Sequence, residues 1–220
     1  ESHYMDANEP INQSDLSNVA STGPYDSLRD FIVALESHGY LVRIPEIDQD
    51  QYEATALAYR LIDRKGYNTA PAMLFDRVKV DGEWLDGPVL SNPYGPWQAE
   101  ALGLGVENIT DDYIAMYRQA MEKVEAICKR GVPKIDPNVI DNTMSPCKEN
   151  VQHGDEVNIL KFPWLKTNPA DGGRYINSGS VIIEDSELGR NVGTYRCQVK
   201  GRNKIGVNPE PFQHGWNMLM

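Results

Sequence analysis

The spacing of the apolar residues changes partway along the chain, and this change constrains the fold more than any other feature. Up to Lys129, apolar residues recur at helical intervals in three separate segments. After Asn150 the helical interval is gone, and short runs of β-branched and aromatic residues replace it. An α+β unit followed by an all-β unit is what this pattern predicts.

The first helix is expected in "YDSLRDFIVALESHGYLVRIP". Leu28, Phe31, Ile32 and Leu35 there form an i, i+3, i+4, i+7 stripe. Asp26 or Ser27 can cap its start, Gly39 supplies a left-handed stop, and "YLVRI" reads as a strand. A second helix fits Tyr52 to Lys65, with Ala54, Leu57, Ala58 and Leu61 on one face and Gly66 as its stop. "AMLFDRVKVDGEWLDGPVL" reads as strands joined by a turn at Asp81-Gly82. A short helix fits "PWQAEALG", and "GLG" at Gly103 to Gly105 is a helix stop, not a phosphate loop. A longer helix fits Asp111 to Lys129, with Tyr113, Met116, Tyr117, Ala120, Val124 and Ile127 facing a core.

Four segments follow. Residues 1–23 are polar and aperiodic and read as a disordered or tag-like leader. Residues 24–130 form the α+β domain. Residues 131–150 carry Pro133, Pro137 and Pro146 among Asp, Asn and Ser, and read as a linker. Residues 151–220 carry the strands "YINSGSVIIED", "NVGTYRCQVKG" and "NKIGVN", with "SELGR" and "GR" as turns.

The 220 residues, 40% hydrophobic and 24% charged, suit a soluble, core-forming protein. No apolar run approaches a membrane span and no signal peptide is visible, so the chain reads as cytoplasmic. A net charge of -11 argues against nucleic acid, which demands clustered Lys and Arg. Cys128, Cys147 and Cys197 are odd in number and widely spaced, which favours reduced thiols over a zinc site or a redox dithiol.

Chemistry concentrates in "RNVGTYRCQVKGRNKIGVNPEPFQHG". Asn191 and His214 offer an amide oxygen and a ring nitrogen 23 residues apart. Such a mixed set suits Mn²⁺ or Mg²⁺ completed by a carboxylate and phosphate oxygens, if neighbouring strands bring the two together. Equally, Asn191 can be a turn residue and His214 a satisfied histidine. Alternation places Val192, Thr194, Arg196 and Gln198 on one face and Tyr195, Cys197 and Val199 on the other. Arg196 is either a structural ion pair on a strand face or a guanidinium that binds a carboxylate or a flavin oxygen. Asn191 and Arg196 are an odd number apart, so one shared site requires a bend or bulge, for which Gly193 is the natural place. An unbroken flat ladder from 191 to 197 counts against a shared site.

Several blocks resemble the UbiD-like decarboxylases, which work with prenylated FMN. They are "SLRDFIVALESHGYLVRI", "PAMLFDRV", "GPVLSNPYGPWQAEALGLG", "HGDEVNILKFPW", "DGGRYINSGSVIIEDSELGRNVGTYRCQV" and "FQHG". The resemblance implies that the N-terminal α+β domain precedes a split β-barrel of flavin-reductase type, of which 151–220 is the truncated beginning. It implies a reversible, non-oxidative (de)carboxylase of aromatic or α,β-unsaturated carboxylic acids, with the Asn-to-His spacing favouring the ferulic-acid-decarboxylase branch. Asn191 and His214 match ligands of the divalent metal on the cofactor phosphate, and Arg196 matches the catalytic arginine beside the flavin and the substrate carboxylate. Val192, Gly193, Thr194, Tyr195, Arg196 and Gln213 match residues lining the prenylated FMN.

The implied cofactors are prenylated FMN and Mn²⁺ or Mg²⁺, with K⁺ a further candidate. The implied partners are a carboxylic acid substrate, a flavin prenyltransferase as supplier, and further copies of the full-length parent. A third metal ligand and two acidic partners of Arg196 are expected beyond Met220, so the chain reads as an inactive fragment whose Arg196 has no carboxylate partner. The rivals are a plain-FMN split-barrel reductase and a non-catalytic subunit of a multi-subunit carboxylase.

Overall fold

The structure, a computed structural model, describes residues 22–131, 136 and 138–220. The leader expected over 1–23 therefore lies outside the described residues except for its last two, and so do Pro133 and Pro137 of the expected linker. The described residues fall into two compact units. One is drawn from 1–47, 56–77 and 87–139, the other from 48–55, 78–86 and 140–220. Among the described residues the architecture is α+β, with two three-stranded sheets.

Helix α1 (Leu28–Ser37) starts where Ser27 Oγ accepts a hydrogen bond from the Asp30 backbone N–H at 3.2 Å. Gly39, at φ +73°, turns the chain into strand β1 (Leu41–Asp48). Phe31 to Leu35 are buried without interruption, so the middle of this helix is enclosed on all sides. The expected stripe fails only at Leu28, which sits in the first turn and is 60% exposed.

Helix α2 (Glu53–Lys65) leads to β2 (Ala72–Val80), and Asp81 and Gly82, both at positive φ, form the tight turn into β3 (Glu83–Ser91). Strand β2 lies between β1 and β3, and its first four residues are all buried. Phe31, Ile32, Leu35, Leu41, Leu74 and Leu102 close one core cluster.

Helix α3 (Trp97–Gly103) packs on α4 (Tyr113–Arg130), but only Met116 and Ala120 of α4 are buried. Tyr117 and Ile127, expected in the core, are exposed. At about 1.5 Å per residue the shorter helix reaches along little more than a third of the longer one, so the far turns of α4 project past their cover.

The second sheet is an antiparallel meander of β4 (Tyr175–Asp185), β5 (Gly189–Gly201) and β6 (Lys204–Val207). The Asp185 carboxylate organises the β4–β5 turn by accepting from the backbone N–H groups of Glu187 and Leu188 at 2.9 and 2.8 Å. These contacts hold its pKa below the usual carboxylate range. The unit is not all-β. Single 3₁₀ turns occupy stretches between Asn142 and Lys161, and a short helix, α5 (His214–Leu219), follows β6. None of these has the length to produce a helical period in the sequence.

Segments 48–55 and 78–86 are bonded to the rest of this second unit. Gln49, almost fully buried, donates from its amide to the Lys166 carbonyl at 2.8 Å and accepts from the Ala54 N–H. Thr55 donates to the Thr167 carbonyl, also at 2.8 Å, and Arg174 pairs with Asp81 at 3.0 Å.

Candidate active site

Pairing fixes which side chains of β5 can act together. Residues 189 to 195 run opposite 185 to 179 of β4 without a break. The register shifts only past Tyr195, where Asn177 and Ser178 of β4 face the single residue Arg196 of β5. The bulge is therefore on the partner strand, not at Gly193. Gly193 is needed for another reason: the Tyr195 ring lies against it, and a Cβ would collide with that ring. The Tyr195 hydroxyl likewise occupies the space that a Cβ on Gly215 of α5 would need. Tyr195 thus seats the short helix on β5, and both glycines make the room.

This ladder divides the expected site residues between two faces. Asn191, Gly193, Tyr195 and Cys197 are partly or fully covered, whereas Val192, Thr194 and Arg196 are exposed. Asn191 and Arg196 thus point to opposite sides of the sheet, and the expected bulge does not bring them together.

Asn191 and His214 do meet. With Leu188, Arg190, Asn217 and Met218 they line a cleft of about 220 Å³. His214 arrives there as the first residue of α5 rather than on a neighbouring strand, as its spacing from Asn191 had suggested. The turn before it passes through Phe212 at φ +72°. Gln213 is committed within that turn, its side-chain oxygen accepting from the Glu210 N–H at 3.0 Å.

The donors around the cleft are two amides, an imidazole and a guanidinium, and Arg190 also pairs with Glu184 at 3.1 Å. Among the described residues no three His, Cys, Asp or Glu side chains gather as a metal centre. The cleft's own donors fit part of a divalent ion's shell, with the remaining oxygens coming from a bound anion, and Arg190 suits a phosphate.

Arg196 anchors a second cluster on the exposed face. Its Nη1 and Nη2 donate to the two carboxylate oxygens of Asp171 at 3.1 and 2.9 Å, and its Nε donates to Asn177 Oδ1 at 3.1 Å. The guanidinium lies over the Tyr175 ring, 4.1 Å from its centre. The Arg196 hydrogen bonds hold the Asp171 carboxyl below the usual carboxylate range, and Asp171 in turn raises the Arg196 pKa. Arg196 therefore has a carboxylate partner within the chain, contrary to the expectation that it would have none.

Asp171, Asn177, Tyr175 and Asn217 were not singled out from sequence. The polar run Asp171-Gly172-Gly173 was the available signal, because paired glycines mark a close backbone approach. A Cβ on Gly172 would indeed press on the Gln198 amide at 2.8 Å.

The chain is thus an α+β protein with an amide-, imidazole- and guanidinium-lined cleft and an arginine–carboxylate cluster on a sheet face. Comparison with known proteins narrows the class. Residues 32–117 match the 3-octaprenyl-4-hydroxybenzoate carboxy-lyase N-terminal domain, and residues 138–219 match the Rift-related domain of the same carboxy-lyase. The chain belongs to the UbiD family.

A phenolic acid decarboxylase of Sedimentibacter hydroxybenzoicus is 35% identical over 189 residues, covering 83% of this chain and 36% of that protein. The solved vanillic acid decarboxylase of the same organism, in open form, superposes with a TM-score of 0.67 at 31% identity, over 84% of this chain and 36% of the other. An evolved dimeric form of the UbiD-class enzyme HmfF from Pelotomaculum thermopropionicum, solved with prFMN, gives a TM-score of 0.60 at 27% identity, over 87% and 40%. The chain thus spans well under half the length of these relatives.

Proposed function

We propose that this chain is the N-terminal part of a prenylated-FMN-dependent, reversible, non-oxidative (de)carboxylase of aromatic or α,β-unsaturated carboxylic acids. The observation that carries the reading is the convergence of Asn191 and His214 on one cleft beside Arg190, in a chain of this family. In this reading Asn191 and His214 hold Mn²⁺ or Mg²⁺ at the cofactor phosphate, and Arg190 adds a cationic contact to that phosphate. The prenylated flavin, when bound, supplies the electron sink for decarboxylation. Val192 and Thr194 line the open face of β5 that a planar ring can cover, opposite the face of Asn191. In this reading the cofactor therefore passes from the cleft around the strand to its ring site, where Arg196 directs a cationic group to the substrate carboxylate.

The sheet β4–β5–β6 is, in the same proposal, the start of a split β-barrel. The parent enzyme is cytoplasmic and oligomeric, with K⁺ a further candidate ion and a flavin prenyltransferase supplying the cofactor. Among the described residues no helix is long and apolar enough to cross a membrane. The 220-residue chain by itself is inactive in this reading, since it spans 36% of the phenolic acid decarboxylase it matches.

The test is expression of the sequence at full family length with a flavin prenyltransferase, followed by cofactor mass analysis, metal analysis and CO₂ release from a panel of aromatic and cinnamic-type acids. Prenylated FMN, bound Mn²⁺ and acid-dependent CO₂ release are expected, and Asn191→Ala or His214→Ala should remove the metal. Unmodified FMN without metal would make the protein a split-barrel reductase. Full occupancy of cofactor and metal with no turnover on any acid would favour a non-catalytic subunit. Turnover by the isolated 220-residue chain would overturn its assignment as inactive.

A further inference from the structure

A guanidinium carries five N–H donors, and they are not equivalent. Two, one on each terminal nitrogen, point together and form the end-on fork. Another two, on Nε and the adjacent Nη2, form the side-on edge. The fifth, on Nη1, lies beside the arginine's own Cδ. In Arg196 the end-on fork is closed by both oxygens of Asp171, and the Nε half of the side-on edge is taken by Asn177. Tyr175 covers a ring face.

Among the described residues two N–H groups are left over, and they do not share an edge. Arg196 can therefore offer an incoming carboxylate single hydrogen bonds but no two-pronged grip, although its side chain is 47% exposed. Asp171 is the better buried partner, at 13% exposure, and is further held by Thr167 Oγ1 and by the backbone turn at Asn168. The arrangement is fixed from the acid's side.

We propose that Asp171 is a positioning residue for Arg196, a resident carboxylate that fills the guanidinium fork and restricts any carboxylate ligand on this face to a one-point contact. This inference rests on the reading that Arg196 meets a substrate carboxylate, and it refines how that meeting occurs. A fork already neutralised by Asp171 binds free carboxylates weakly. The arginine then acts as an oriented donor whose direction is set by Asp171, Asn177 and the Tyr175 ring.

Benzoate is a suitable probe, titrated at neutral pH into the 220-residue chain while the Arg196 Nε–H resonance is followed by NMR. Wild type should bind in the tens-of-millimolar range or weaker, with small shifts. Asp171→Asn should bind benzoate at least fivefold more tightly and move the Nε–H resonance before any benzoate is added, whereas Asp171→Glu should return both readouts towards wild type. A merely structural role would not be rescued in this way.

Asn177→Ala, in the exposed bulge, opens the side-on edge without touching Asp171 and should strengthen benzoate binding about twofold even if Asp171→Asn fails to fold. Unchanged or weaker benzoate binding in the folded variants would overturn the proposal. No flavin and no turnover enter this experiment, so its failure leaves the decarboxylase reading standing, and failure of the decarboxylation assay leaves the fork geometry standing.

Discussion

The two sheets are of equal strand number and are built on opposite terms. In the first, β2 lies between two strands with its apolar residues sealed from solvent, and Phe75 is completely buried. In the second, β5 holds the same central place, but one face is open. Ile182 and Val192, paired across β4 and β5, are 65% and 62% exposed. Within residues 140–220 the buried hydrophobic side chains among those described are Leu165 and Cys197, and neither is fully buried. Buried apolar packing is concentrated in the first sheet, and in the proposed reading the chemistry falls on the second, since a face that admits a ligand cannot also be filled with its own side chains.

The most direct way to break this comparison is to delete a large side chain from each sheet. Phe75→Ala should cost about 3–5 kcal/mol by denaturant unfolding, since it removes a fully buried ring and leaves a cavity. Ile182→Ser should change stability by no more than about 0.5 kcal/mol, as a substitution on an exposed face does. Equal losses at the two positions would mean that the second sheet has a core of its own on that side.

An intermediate effect is expected where the open sheet is tight. Gly193→Ala drives a methyl group into the Tyr195 ring and should cost about 1–3 kcal/mol, the range of overpacking. The same shift of Tyr195 should loosen α5, which would appear as faster amide exchange in residues 214–219. A fully tolerated Gly193→Ala would remove Tyr195 as the seat of that helix.

What the sequence revealed follows from the same division. Helical stripes and the Asp81-Gly82 turn were legible because local chemistry determines them. The strands of the second sheet were legible from their composition. The exposed half of α4 was not, because burial there depends on the length of α3, and no property of Tyr117 or Ile127 encodes it. At the site, the spacing of Asn191 and His214 suggested a meeting that the cleft contains, though through a helix start rather than a strand. Gly193 drew the bulge because glycine permits one. The bulge instead formed at Asn177 and Ser178, where it puts an amide oxygen on the Arg196 Nε. Asp171 lies 25 residues upstream of the arginine it grips, and only tertiary structure joins them.

A smaller effect should appear in acid. The Asp171 pKa is depressed in the folded state, so its contribution to stability is present above the unfolded carboxylate value, near about 3.9, and is lost as pH falls through the lower folded value. Asp171→Asn should therefore flatten the fall in stability below about pH 4, measured by urea unfolding at several pH values. Asp48, Asp141 and Asp185 are shifted in the same direction, so the slope should be reduced rather than abolished. An unchanged slope would place the Arg196–Asp171 pair outside the folding equilibrium.

The smallest stability effect and the sharpest test of the division fall on one residue. Arg190 pairs with Glu184 across the strand ends, with both side chains more than half exposed, and surface pairs of this kind contribute about 0–1 kcal/mol. Arg190→Ala should leave unfolding within about 0.5 kcal/mol of wild type. Yet the same side chain lines the cleft with Asn191 and His214, where it is the one Lys or Arg among the described lining residues. Inorganic phosphate, titrated while the His214 ring resonances are followed, should therefore bind several-fold more weakly in Arg190→Ala. A large loss of stability would make Arg190 part of the scaffold. Undiminished phosphate binding would move the anion site elsewhere, and the separation of stability from chemistry would no longer run between the two sheets.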